Sequence, residues 1–325
     1  MLVIILAAVA VWVVKTNGKA TIKRELRDFA IADTASIDKI FMVKKNNEQV
    51  TLTRSGKKWL VNDQFDARKD AIDIILKTLK RMEVKNPVSN NSMDNVIKML
   101  ATRNTKVEVY SEGKLLKTIF VGGPTQDQLG TFMMLEGSSV PFIVSIPGFA
   151  GYLSSRFFTE LKSWRSPVIF NYDFDDIAKV KSVYNTFPDQ SFIIERKGAS
   201  FEINSLNGNI KAPGIDTLAL RFFLSGFEKV ACEFFVENMD DQLQDSLSHA
   251  IPHRILEVTD KGGTTKKVEA HVRRANGLID DEGNLLEWDN ERMYARIDDE
   301  TWVVIQYYVF EKLFREFDYF FPIRR

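Results

Sequence analysis

The stretch Arg54–Asn62 (RSGKKWLVN) and the stretch Arg196–Asn204 (RKGASFEIN) state one pattern twice. In each, an arginine is followed two residues on by glycine, then by an aromatic residue, Trp59 or Phe201, at the start of a short β-type run. Glycine supplies the positive φ that a tight hairpin turn needs, so each stretch reads as the turn and second strand of a hairpin. The flanks agree: Ile37-Asp38-Lys39-Ile40 matches Ile177-Ala178-Lys179-Val180, and Gln49–Arg54 matches Ser191–Arg196. A repeat of this length is a domain duplication and not a solenoid unit. Trp59 and Phe201 are therefore expected at equivalent inward positions on equivalent sheets.

The first half follows from this register. Strands are expected at Ile37–Val43, Gln49–Arg54 and Trp59–Val61, a three-stranded antiparallel meander. From Lys69 to Val84 the spacing turns helical, with Ile72, Ile75, Leu76, Leu79 and Met82 on one stripe. Asn86-Pro87 ends that helix. A short helix from Met93 to Leu100 follows, with Ser92 as its cap. Strands resume at Lys106–Tyr110, Leu116–Val121, Gly130–Leu135 and Phe142–Ile146, with Gly122–Gly130 read as a long loop.

In the second half, Gly214–Val230 takes the place of the main helix and is apolar all round, so it is expected to be deeply enclosed. Asp245–Ala250 corresponds to the short helix. Leu256–Val258, Lys267–Val272, Met293–Ile297 and Trp302–Ile305 complete the strands. The fold expected is α+β: two tandem related domains, each an antiparallel sheet with one main packed helix, after an N-terminal membrane anchor. The boundaries are 1–16 for the anchor, 17–32 for a stalk, 33–165 for the first repeat and 166–325 for the second.

The anchor reading rests on Leu2–Val14, thirteen uncharged apolar residues. A spanning helix usually takes roughly 17–25 residues, so the run resembles the apolar part of a signal-anchor. Lys15, Lys19, Lys23 and Arg24 follow it, and no basic side chain precedes it. Taken literally, that charge pattern puts the bulk of the chain in the cytoplasm; a start a few residues upstream would account for both features and is the basis for expecting the body in the periplasm, after a single pass through the bacterial inner membrane.

Forty-four basic side chains balance forty-four acidic ones, so no global field favours nucleic acid. The lone Cys232 excludes an intramolecular disulfide, and its apolar neighbours make it an inert buried thiol. His249 and His253 stand at metal-ligand spacing, but Pro252 lies between them and no HExxH pattern is present. Gly122-Gly123-Pro124 lacks the GK[ST] of a phosphate loop. The pairs Asp175-Asp176, Asp240-Asp241, Asp280-Asp281 and Asp298-Asp299 fall at turns and helix starts, where aspartate bonds local backbone. No catalytic, cofactor-binding or metal-ligating residue is assigned, and no cofactor is expected. The aromatic C-terminus (Phe310, Phe314, Phe317, Tyr319, Phe320, Phe321) reads as packing of the second domain, with membrane or partner docking as the alternative.

Several segments together resemble a bacterial family known as domain of unknown function 4340. They are Arg27–Thr34, the Trp59 hairpin, Val121-Gly122-Gly123-Pro124-Thr125, Gly130-Thr131-Phe132-Met133, and Pro147-Gly148-Phe149 before Arg156-Phe157-Phe158. The resemblance implies single-span, membrane-anchored proteins of Bacteroidetes-type bacteria, and association with gliding-type ABC exporter components. It carries no catalytic residues. The expectation is a non-enzymatic accessory or scaffold protein of the envelope whose partners are the inner membrane and an ABC transporter complex. The alternative is a periplasmic protein that binds a lipid, glycan or peptide in a cleft between the two repeats.

Overall fold

The computed structural model describes residues 24–208 and 214–321. The anchor and the first part of the stalk lie outside the described residues. Among the described residues no helix is long and apolar enough to cross a membrane. The chain divides after Ser166 into two compact units.

The first unit is built on β1 (Ile37–Lys44), β2 (Gln49–Ser55), β3 (Lys58–Val61), β4 (Phe65–Asp66), β5 (Glu83–Pro87), β6 (Thr105–Ser111), β7 (Lys114–Pro124), β8 (Thr131–Leu135) and β9 (Phe142–Ser145). They form one antiparallel sheet in the order β4-β3-β2-β1-β6-β7-β8-β9-β5. The second unit has β10 (Val168–Phe170), β11 (Ile177–Tyr184), β12 (Phe192–Lys197), β13 (Ser200–Ser205), β14 (Val230–Ala231), β15 (Phe234–Phe235), β16 (Arg254–Asp260), β17 (Thr265–Arg274), β18 (Trp288–Ile297) and β19 (Thr301–Gln306). Eight of these pair as β13-β12-β11-β16-β17-β18-β19-β15, and β10 pairs with β14. Strand for strand, the second sheet repeats the order of the first without a counterpart of β4.

The expected α+β fold with one main packed helix per repeat does not hold. Large antiparallel sheets dominate both units, and among the described residues each unit carries two helices of more than one turn, equal in length within the unit. In the first these are α1 (Lys69–Arg81) and α2 (Asn90–Thr102), in the second α3 (Thr217–Ser225) and α4 (Asp241–His249). Two signals misled the pattern. The edge strand β5 is exposed along most of its length and shows no alternation. Helix α2 starts after Ser89, three residues before the expected cap, because its first turn is entirely polar. The glycines at 122 and 123 also belong to β7 and not to a loop; the chain turns only over Thr125–Gly130, where Thr125 N–H donates to the Gly130 carbonyl at 2.9 Å.

Alternation places Ile40, Met42, Val50, Leu52, Val107, Val109, Ile119 and Val121 on one face of the first sheet, all buried in a single core. Helix α1 closes that core with Ala71, Ile72, Ile75 and Leu79. Each large aliphatic side chain so buried contributes about 1.5–3 kcal/mol before ordering entropy opposes it. Packing begins upstream of Asp33: Phe29 and Ile31 are buried, and the Lys117 ammonium donates to the Asp28 and Ala30 carbonyls. In the second unit the equivalent face buries Val180, Ile194, Leu256, Val258, Val268, Ala270, Val303 and Ile305. Phe310, Phe317 and Phe320 fill the same core, in keeping with the packing role read for the C-terminal aromatics. Helix α3 departs from expectation: Leu218 is 62% and Phe222 66% exposed, and only Leu220, Phe223 and Leu224 are buried.

The repeated arginine explains the hairpin. Arg54 pairs with Trp59 across β2–β3, and Arg196 pairs with Phe201 across β12–β13. Each guanidinium stacks on that ring, at 4.9 Å and 4.3 Å from its centroid. Each Nε donates to a carbonyl at the head of the neighbouring strand, Ile37 and Ile177, at 2.8 Å in both cases. Both carbonyls sit where the ladder slips by one residue, between Ile37 and Lys39 and between Ile177 and Lys179. The slip leaves a backbone acceptor without a strand partner, and the arginine supplies the donor. Trp59 is buried and Phe201 half-buried.

The other face of the first sheet is covered by α2. Val96 and Leu100 pack with Val88 against Phe132, Met134 and Ile143 to make a small second core. The approach is close because β7 carries glycine there: a Cβ on Gly122 would lie 2.7 Å from Leu100 Cδ2 and 3.0 Å from the Phe132 carbonyl oxygen.

Two outcomes follow. Arg196→Ala removes a charged donor from the Ile177 and Phe174 carbonyls, the latter at 2.6 Å. Urea unfolding of the full chain should register a loss of about 2–3 kcal/mol, and less for Arg54→Ala, whose second bond, to Thr34, is 3.5 Å long. Gly122→Val should cost about 1–3 kcal/mol by pushing α2 off the sheet, with increased amide exchange in 90–102 as its signature.

Candidate functional site

Tracing pairs across the strands aligns the outer faces of the two sheets. Val107 pairs with Ile119, and Ile119 with Leu135. Leu256 pairs with Val268, and Val268 with Ile297. By this register Phe120 corresponds to Glu269, Gly122 to His271, Phe132 to Tyr294 and Met134 to Arg296. The apolar surface that receives α2 in the first unit is thus replaced by an ionic and aromatic one. The Arg296 guanidinium donates twice to Glu269, at 3.0 and 2.7 Å, and Lys267 reaches the same carboxylate at 2.8 Å. Burial works against the Glu269 charge, but Lys267 and Arg296 outweigh it and hold the carboxyl below its ordinary range.

Where Gly122 admits a helix, the His271 imidazole occupies the space, and α4 does not close down on the second sheet. None of its residues is buried. Between α4 with its exit (Ala250–His253) and the facing ends of β17 and β18 lies a groove of about 790 Å³. Leu243, Ser246, Leu247 and Ile251 line one side; His271, Arg273, Arg274, Trp288 and Tyr294 line the other. The β17–β18 ladder slips between Val272 and Arg274, so the sheet is interrupted at the groove floor.

His271 is 4% exposed, and its Nε2 is buried with no hydrogen-bond partner. Its ring lies 5.5 Å from that of Trp302. Arg273 shares the face of β17 with His271, and its Nε is likewise buried and unpartnered. Its nearest charge is Asp289 Oδ2, 3.6 Å from Nη1. Asp289 is itself buried and bound elsewhere, its Oδ1 accepting from the Glu291 and Arg292 amides at 2.9 Å. A buried polar atom without a partner costs about 1–3 kcal/mol, so two of them on one strand face are a concentrated penalty.

Aromatic rings back the cations. Arg274 stacks on Trp288 at 4.2 Å while bonding Glu287 at 2.7 Å, and Arg273 lies over Tyr294 at 5.4 Å. His253 meets Thr186 Oγ1 through Nδ1 at 3.2 Å and Tyr184 edge-on at 5.2 Å. Burial lowers the pKa of both imidazoles; Arg254 adds to this for His253, while for His271 Glu269 opposes it and Arg296 reinforces it. Both are therefore neutral at pH 7. The charged lining groups are then Arg273 and Arg274, each with a carboxylate beside it, Asp289 at 3.6 Å and Glu287 at 2.7 Å.

The groups weighed from sequence fall elsewhere. His249 ends α4 in solvent with Nδ1 2.9 Å from the Asp245 carbonyl, while His253 lies beyond Pro252 in the groove. Among the described residues no cluster could hold a metal ion. Cys232 is buried. Asp240 caps α4, Asp280 closes a turn onto Glu282 and Asn284, and Asp298-Asp299 form the positive-φ turn between β18 and β19. The expected strands Lys267–Val272 and Met293–Ile297 leave Arg273, Arg274 and Trp288 outside, and they contain His271 without showing which face it takes. The available signal was the basic, imidazole-bearing run His271-Val272-Arg273-Arg274, which places two polar side chains on one strand face.

Neither curated proteins nor solved structures give a match to the chain. A protein-family profile, described as a domain of unknown function, matches residues 59–242. The match runs from the Trp59 hairpin through most of the first unit to the start of α4, so β17 and β18 lie beyond it. On that match, which spans more than half of the sequence, the chain belongs to the DUF4340 family.

Proposed function

We propose that this protein is a non-enzymatic accessory component of the bacterial envelope, held by its N-terminal apolar run at the inner membrane beside an ABC transporter, and that it acts by holding a ligand in the groove of its second unit. One observation carries the binding part. The second sheet keeps open, and lines with unpartnered nitrogens, the surface that the first sheet seals with a helix. A surface that only needed covering would be met more cheaply by aliphatic side chains, as in the first unit. The groove's volume and its mixture of apolar walls with a few polar groups are those of a ligand site. The Arg273 guanidinium and the ring faces of Trp288 and Tyr294 suit holding a molecule. The membrane part rests on Leu2–Val14.

A photo-cross-linking residue in place of Ile251, which lines the groove and is 81% exposed, tests both parts in intact cells. The chain should sediment with membranes and resist extraction by high salt. Discrete adducts should form at position 251, and none at Leu115, an exposed residue of the first sheet. Identical labelling at both positions, or recovery of the chain as a free soluble monomer, would contradict the proposal.

A further inference from the structure

The groove's chemistry narrows what it holds. We infer that it takes a small organic carboxylate with an apolar body, the head group on Arg273 and the body against the helix side; this rests on the reading of the groove as a binding site.

Three features of the groove converge. Its unsatisfied atoms are nitrogens: His271 Nε2 and Arg273 Nε, side by side on one face of β17. The Arg273 guanidinium has an ion-pair contact with Asp289 at 3.6 Å and lies over the Tyr294 ring, but its Nε is unpartnered, although a guanidinium presents five N–H donors in a planar fork. The group that matches such a fork is a carboxylate, which accepts two parallel bonds. The lining residues themselves hold two arginines and no acid, but Asp289 and Glu287 lie beside those arginines at 3.6 and 2.7 Å, so the preference for an anion rests on the unfilled donors of Arg273 and not on a net field.

The polarity of the groove also sets an orientation. Helix α4 lines it from Leu243 in the first turn to Ala250 at the C-cap, and the carbonyl end of a helix carries partial negative charge. An anionic head is therefore disfavoured beside Ala250 and favoured on the strand side, where the donors of Arg273 lie. The helix side instead offers Leu243, Leu247 and Ile251, which an acyl chain or ring would cover; Trp288 flanks the same space. A volume of about 790 Å³ suits a ligand of small-molecule size and is far below what a folded partner would need.

Octanoate, 1-octanol and octylammonium share one chain and differ only in charge, so they separate the terms. Titrations would be run calorimetrically on the full chain in lipid nanodiscs, with empty nanodiscs subtracted. Octanoate should bind at one saturable site, with 1-octanol at least ~tenfold weaker, about 1.4 kcal/mol, and octylammonium weaker still. Arg273→Gln should bring octanoate down to the octanol level with an unchanged thermal midpoint. If that variant fails to fold, Arg274→Gln, on an exposed side chain, should halve the preference or more. Ser246→Trp, which fills the groove from α4, should abolish binding of all three. Equal affinity for octanoate and octanol, both lost in Ser246→Trp, overturns the carboxylate assignment and leaves the groove as a binding site. Absence of octanoate binding also overturns the assignment, and the cross-linking at position 251 then decides separately whether the groove binds anything.

Discussion

A sheet has two faces, and each must meet something. In the first unit Gly122 removes the side chain that would hold α2 away, and Val96 and Leu100 settle onto Phe132, Met134 and Ile143. At the matching position of the second sheet stands His271, with Glu269 and Arg296 beside it on the same face. An imidazole takes the volume that a helix would otherwise fill, and a charged pair takes the place of an apolar floor. The open groove and its unpartnered nitrogens follow from that exchange.

The inner faces are governed differently. Both sheets slip by one residue where their first strand begins, and both mend the slip with an arginine that reaches back from the next strand onto the exposed carbonyl. The aromatic residue across the ladder holds that guanidinium in place. This device needs three groups in one register, the arginine, the strand-head carbonyl and the aromatic ring, and it recurs in both units. The inner faces have thus kept one solution, while the outer faces have diverged from a sealed core to a lined groove.

The Arg54 and Arg196 hairpins were legible in the sequence because a turn glycine, an arginine and an aromatic residue stand at fixed spacing, and local spacing is what a hairpin depends on. The stripe of α1 was legible for the same reason: Ile72, Ile75 and Leu79 recur at helical period. The balance of the fold was not. The edge strand β5 has no pattern, because an edge open to water imposes none, and the polar first turn of α2 hides the start of that helix. Helix α3 reads as enclosed from composition, yet Leu218 and Phe222 are exposed, since composition does not say which neighbours arrive. The groove was hidden for a deeper reason. It is a difference between two outer faces, and it becomes visible only when the strands are paired and Gly122 is set against His271.

The groove requires the second outer face to be open where the first is closed. Thiol accessibility measures this directly. In a full chain with Cys232 replaced by serine, cysteine would be placed at Leu247, on the groove side of α4, or at Leu100, on the sealed side of α2. Modification by a small maleimide under native conditions should be fast at position 247 and slowed by orders of magnitude at position 100, where it must wait for local opening. Equal protection at the two positions would mean that α4 closes on its sheet as α2 does, and the groove would not exist in solution.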